Sequence, residues 1–508
     1  MKQSTLLAIL WSISFNSHMI ASSSFDYKGL SYTVISEESK TVECIGKNYM
    51  LSDYASIIIP DEVKSTNSVY KVVRIGDNAF RDCVDVNSIS IPESLTSIGK
   101  SSFRGCSNLN TIDLPENITF IDESAFRDCF NIESISLPDN IKSIEASTFS
   151  GCKNLKQIEL PIWVASIGNF AFNECTNIES ISFPNGLLSI GDSAFEGCIS
   201  LSNVDLPDKL MSIGDYAFED CVNIDFIKLP NTVDFVGKFA FAGCTKLTNI
   251  ILSDRLTELK QSVFLGCSSI TMIELPEGIQ SLGSSVFSGC VSLEEIDLPT
   301  TITSIGGAAF NGCSKITSIK IPDNVTIIDV FTFQDCTNLS VVDLPKELTY
   351  ISDYSFSNCA NLEYIDFPDK LTNIGDAFNG CNFEYIISHN IVPPVLKNAE
   401  AFEKGVLENA ILYVPFNSSS AYSNSYGWRE FKNIQEKDFG GVNSVKDDAV
   451  SVTAKGGSIE ITGADNAHIE VYNLSGQLVY SGTDITVDSL ARGIYIVRVS
   501  GHTFKVAL

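Results

Sequence analysis

The sequence predicts a repeat solenoid of parallel β coils on a period of about 23 residues, followed by a small all-β domain. Three observations carry this. Cysteines recur at a fixed step: the position rises by 23 from Cys83 to Cys106, Cys129, Cys152 and onward to Cys359, and by 22 at the last step to Cys381. A phenylalanine stands three residues before each of them, from Phe80 and Phe103 to Phe378. A proline ladder runs in parallel from Pro92 to Pro368, broken only where Ser253 stands. Three registers locked over a dozen periods are the mark of stacked repeats.

The first element is N-terminal. Lys2 precedes an apolar run, Leu6 to Phe15, and a polar, small-residue stretch ends at Ala21, Ser22 and Ser23. That layout predicts a secretory signal peptide over residues 1–23, cleaved after Ser23. No cysteine lies near the junction, which argues against a lipid-modified N-terminus. No later apolar run reaches the roughly 18 residues that a membrane span needs, so no transmembrane helix is expected. Residues 24–60 are less regular; Tyr27, Leu30, Tyr32 and Val34 alternate like a capping strand, and a polar insertion lies near Val63 to Val69. An irregular end coil is expected where the core must be closed.

The solenoid is placed at residues 61–387. In one unit, Ile135 and Leu137 point inward and Ser136 outward, as strand alternation requires. Pro138 ends the strand because it has no N–H to donate. Ile141 to Ile144 return the chain along a second side, and Phe149 and Cys152 fill the interior at the corner. About eight apolar residues per unit cannot form a core alone, so the coils must share one. With strands about 4.8 Å apart, the stack is a rod roughly 65 Å long.

These residues carry a resemblance. Leu109, Ile112, Leu114 and Pro115, then Ile190, Gly191, Ala194, Phe195 and Cys198, follow a pattern similar to the leucine-rich repeat of the BspA-like surface proteins. The resemblance covers residues 57 to 387. It implies an exported or surface-bound chain, and several members of the family are adhesins for host matrix proteins or other microbes.

Beyond the coils, Pro393 and Pro394 lead into Ala410 to Pro415 and then Trp428, Phe431 and Ile434. This resembles the module that closes the family's solenoids, placed at 388–437 and read as a structural cap. Residues 438–447 form a linker. From 448 to 508 the ladder residues vanish. Strands are expected at 458–462, 468–474, 478–480, 485–487, 494–499 and 504–508, with Ser475 and Gly476 as a turn. Ile469 to Val479 and Arg492 to Val499 resemble the C-terminal sorting domain of the type IX secretion system. The resemblance implies an address tag read by secretion machinery at the outer membrane; the alternative is an ordinary small β-sandwich.

Charge and composition narrow the function. With 34 Lys and Arg against 62 Asp and Glu, the net charge of −28 repels nucleic acid and anionic headgroups. Four histidines are too few for most imidazole chemistry, and none falls between residues 19 and 388. Nucleophilic catalysis would need a Gly-x-Ser-x-Gly elbow or a histidine to activate Ser or Cys, and the repeats have neither. No phosphate loop or calcium-loop signature occurs. Cysteines a whole coil apart lack a metal-binding spacing. Stacked parallel Cβ vectors about 4.8 Å apart fit a disulfide badly, since it wants about 3.8 Å. They are read as buried free thiols, and no enzyme, cofactor or metal is expected.

The outward strand positions yield a candidate surface. Early coils expose Ser, Thr and Asp; the middle ones expose Phe226 and Lys228, Asn249 and Ile251, then Met272 and Glu274. Phe226, Ile251 and Met272 form an apolar patch rimmed by Asp205, Lys228, Glu274, Glu295 and Asp297, the character of a protein-binding site. The Ile251 coil also departs from consensus at Ser253, Leu259 and Lys260. The expected function is non-enzymatic protein–protein interaction at the cell surface or after secretion, by adhesion to matrix proteins or other cells. The alternative is a secreted envelope spacer with no specific ligand.

Overall fold

A computed structural model describes residues 23–47, 55–399, 401–439, 451–455, 458–462, 467–473, 476–488, 490–491, 493–499 and 502–508. Apart from Ser23, the expected signal peptide lies outside the described residues, as does most of the expected linker. The chain is a parallel β-solenoid closed at both ends, followed by a small antiparallel β domain.

Each coil has three sides. On the first, strands stack in register one period apart: Gln157, Ile158 and Glu159 pair with Ser180, Ile181 and Ser182. On the second, Ser143–Ile144, Ser166–Ile167, Ser189–Ile190, Ser212–Ile213 and Phe235–Val236 form one ladder. The isoleucines of both sides point into the core; Ile158, Ile181, Ile167 and Ile190 are all buried. Parallel pairing follows because every coil runs in the same direction.

The third side is not a strand. Ser193 and Gly197 have φ of 52° and 72°, and the next coil repeats this at Tyr216 and Asp220. The chain therefore winds through left-handed positions, and its alternate N–H groups donate to the following coil: Ser193 to the Asp215 carbonyl and Phe195 to the Ala217 carbonyl, both at 2.8 Å. These bonds satisfy a backbone that no regular element would satisfy.

Phe and Cys fill the corner. The rings from Phe80 to Phe378 form one stack, with centroids 5.2 Å apart at Phe195–Phe218 and 5.9 Å at Phe241–Phe264. Every thiol from Cys106 to Cys381 donates to a Phe carbonyl of the preceding coil; Cys198 reaches Phe172 at 3.2 Å. That carbonyl also accepts the Cys175 N–H at 3.1 Å. The thiols thus do more than fill space. Each supplies a second donor to a buried oxygen, which sequence spacing does not reveal.

The N-terminal closure is richer than one strand. Strands β1 (Ser24–Tyr27), β2 (Leu30–Ser36) and β3 (Thr41–Lys47) form an antiparallel meander. The polar insertion is a hairpin of β5 (Glu62–Ser65) and β6 (Ser68–Ile75), preceded by β4 (Ser56–Ile58). Strand β3 pairs parallel with β6, and β6 with Ser97–Ile98, so the cap extends the second side. Tyr32, Val42 and Cys44 are fully buried there.

At the other end, Tyr364–Phe367, Tyr385–Ser388, Ile411–Pro415 and Asn433–Lys437 continue the first side as one parallel sheet. Two short helices, Lys404–Asn409 and Ser419–Asn424, cross between its last strands. Trp428 is wholly buried against Phe402, Tyr422 and Phe431. A single core runs from Leu30 to Phe431.

The last domain packs a sheet of Ser451–Lys455, Ser458–Thr462 and Thr486–Val487 against one of Leu478–Gly482, Ile469–Asn473, Ile494–Val499 and His502–Ala507. Its own core includes Ile459, Ile469, Val471 and Val497. Of the expected turn pair, Ser475 lies outside the described residues, and Gly476 has φ of 79°.

Candidate functional site

The middle coils build the candidate surface from strand alternation. Phe226–Lys228 pairs with Asn249–Ile251, placing Phe226 beside Asn249 and Lys228 beside Ile251. Ile227 and Ile250 point inward and are buried, which forces their neighbours out. Phe226, Ile251 and Met272 are 43%, 46% and 56% exposed, far more than apolar core residues; Lys228 and Glu274 are also exposed. One period on, Met272 falls in the Phe226 column and Glu274 in the Lys228 column. The patch is therefore a checkerboard: Ile251 is offset by one column from Phe226 and Met272, and Asn249 stands between those two.

Regular pairing lapses just beyond. Between Asn249–Ile251 and Ser318–Lys320 the first side keeps only the bridge from Met272 to Glu295. A shallow groove of about 410 Å³ opens there, floored by Met272, Leu275, Leu298 and Pro299. Its rim carries Glu274, Glu277, Glu295 and Asp297. Sequence reasoning found Met272 and the acidic rim at Glu274, Glu295 and Asp297 but not the groove, because Leu275, Pro276, Leu298 and Pro299 are the ordinary repeat residues.

A second exposed apolar run was also missed. Leu188 and Met211, joined by a backbone bond of 2.9 Å, lead to Phe235 on the second side, where Lys260 lies 4.4 Å from the ring centroid. Lys260 also pairs with Glu258 at 3.4 Å. The signal was available in the residue preceding the second-side Ser–Ile pair for Leu188 and Met211, and in the Ser position itself for Phe235. Ser253, the missing proline, is buried, and its hydroxyl accepts the Arg255 N–H at 3.2 Å.

The described residues hold no cluster of three or more His, Cys, Asp and Glu suited to a metal. All fifteen cysteines are free thiols. Burial pushes the Cys152 thiol from its ordinary 9.0 up to about 12, and the neighbouring Asp128 adds to the rise. Such a thiol stays protonated and unreactive near neutral pH. Cys83, at the head of the ladder, is the half-buried exception. Iodoacetamide at pH 8 is expected to add one group to the native chain, at Cys83, and to all fifteen cysteines in guanidinium; intact-mass spectra read the count. Rapid alkylation of several thiols in the folded chain would refute this.

Ser388 and His389 are adjacent but do not cooperate. The Ser388 hydroxyl lies 2.6 Å from the Tyr422 hydroxyl inside the cap, whereas His389 Nε2 lies 2.8 Å from Asp366 Oδ1. Burial alone would raise the Asp366 carboxyl, but His389 and Lys505 outweigh it and hold it below the ordinary range. This constellation ties the cap to the last domain, through Lys505 at 2.8 Å from Asp366 Oδ2.

Parallel coils of constant period on a shared Phe and Cys core, with a broad outward β face, define a leucine-rich repeat protein. More narrowly, the chain belongs to the BspA type leucine-rich repeat family, whose model matches in six copies over residues 73–199, 165–294 and 280–406. A secretion system C-terminal sorting domain matches residues 453–507. Among solved structures, a leucine-rich repeat protein from Bacteroides ovatus is 29% identical, with a TM-score of 0.63, covering 82% of this chain and all of its own. A leucine-rich cell surface protein from Faecalibacterium prausnitzii is 19% identical over 82% of this chain and 95% of its own, with a TM-score of 0.43. The pneumococcal vaccine antigen PcpA is 16% identical over 82% and 99%, with a TM-score of 0.39. No curated protein matches. The sorting domain marks the chain for secretion and export to the cell surface, the repeats point to protein interaction, and no described helix is long and apolar enough to cross a membrane.

Proposed function

We propose that the chain is a non-catalytic surface adhesin that grips protein partners with the middle coils of its first side, at Phe226, Lys228, Ile251, Met272 and Glu274. The reading is carried by one observation: large apolar side chains stand out from a rigid sheet on successive coils, ringed by charge. Such clusters gain binding energy by leaving water, whereas isolated exposed apolar residues do not form a site. The sorting domain supports delivery to the outside of the cell, with anchoring at the outer membrane as its expected end.

The test places the full chain on a biosensor against purified matrix glycoproteins and bacterial surface proteins. A Phe226→Asp/Met272→Asp variant, folded by circular dichroism, is expected to lose about tenfold or more in affinity, because charge replaces two anchors. Undiminished binding would move the site elsewhere. No binding by either protein would leave the solenoid as a spacer.

A further inference from the structure

The groove beside Met272 is fitted to one kind of occupant. We infer that it takes an extended segment of the partner protein in which an apolar residue is flanked, two positions away on each side, by Lys or Arg. The inference rests on the reading that the middle coils bind protein, and it specifies that partner's chemistry.

The floor is apolar and more open than the coils on either side. Leu275 and Leu298 are half-buried, whereas their counterparts in the flanking coils, Leu252 and Ile321, are only 6% and 2% exposed. The slot lies where strand pairing between those flanking coils is reduced to a single bridge. One apolar side chain entering it would cover two leucines that neighbouring coils cover for themselves.

The rim sets the sign of the charge. Among the described residues none of Glu274, Glu277, Glu295 and Asp297 holds an ion pair. Lys228 and Lys320 share the column of Glu274 and Asp297, two coils from the first and one coil from the second, and neither pairs with the rim, so four carboxylates crowd the groove against two cations at its margin. Glu295 and Asp297 flank a buried Ile296 and project from one side of their strand, about 6.8 Å apart. In an extended peptide, residues two positions apart are also about 6.8 Å apart, so with an apolar residue over the floor each cation stands about that far to one side of it, toward the rim. Cationic residues flanking an apolar one would therefore reach the rim while the apolar one fills the floor. An acidic segment is repelled, and a polyamine has nothing for the floor.

The probe is a fluorescein-labelled decapeptide, Lys-Ser-Leu-Ser-Lys repeated twice, titrated with the full chain and read by fluorescence anisotropy. Saturable binding is expected. It should weaken about tenfold or more in Glu274→Gln/Glu295→Gln/Asp297→Gln, and again when the peptide's leucines become serine. Glu196→Gln/Glu219→Gln, on distant coils, should bind as the parent does. The inference is overturned if no peptide binds, if a Lys→Glu peptide binds as well, or if the distant variant loses as much. Should the peptide fail while Phe226→Asp/Met272→Asp still abolishes capture of matrix proteins, protein binding stands and this occupant is wrong. Should both fail, both readings fall.

Discussion

Replacing Phe241 with alanine is expected to be among the most damaging single changes in the solenoid. Its ring is fully buried in mid-ladder, with centroids 5.6 Å from Phe218 and 5.9 Å from Phe264. Removing it deletes apolar contact with both neighbours and leaves a cavity that a stacked coil cannot collapse to fill. The cost is about 3–5 kcal/mol. The form of the loss matters as much as its size. Coils are held by their nearest neighbours, so a lesion at the middle divides one cooperative unit into two. Thermal unfolding followed by circular dichroism should change from one transition to two, the first well below the parent's. Phe241→Leu, which keeps most of the volume, should retain a single transition. A single, barely shifted transition in Phe241→Ala would show that the phenyl stack is not what couples the coils.

The second large effect is expected at Trp428. It closes the core's open end, fully buried, and its indole N–H donates to the Pro394 carbonyl at 2.7 Å. Trp428→Ala removes the largest side chain of the closure and should cost about 3–5 kcal/mol. The damage should stay local: limited proteolysis is expected to cut first between residues 380 and 437, leaving the N-terminal coils intact. Trp428→Phe restores the ring but not the donor, and the buried carbonyl it orphans should cost about 1–3 kcal/mol. Cleavage that starts elsewhere in the alanine variant would deny Trp428 its closing role.

What was legible in the sequence followed from periodicity. The constant period carried the coil, the parallel stacking and the inward isoleucines, and alternation gave Ser458–Thr462 and Ile494–Val499 at their observed bounds. Ser451–Lys455 was missed because Val452 is its one large apolar residue, so no alternation shows. The third side was unreadable for a different reason. One of its left-handed columns holds Ser193, Tyr216, Phe239 and Ala308, residues that share no backbone preference, although the other, at Gly197, Asp220 and Gly243, carries the Gly and Asp that suit such a position. Hydrogen bonds between coils impose that conformation, and they exist only after stacking. The candidate patch was legible because the residues between its members are buried isoleucines. The groove was not, since it lies between coils of ordinary sequence.

The free thiols have a mechanical consequence. No disulfide staples one coil to the next, so a pull along the rod meets only ladders of hydrogen bonds and stacked rings. Under tension the coils would peel off in turn. Each would surrender about 4.8 Å of rod and release roughly 75 Å of slack chain. A bacterium held through such a tether would be cushioned against a sudden tug, with the load spent one coil at a time.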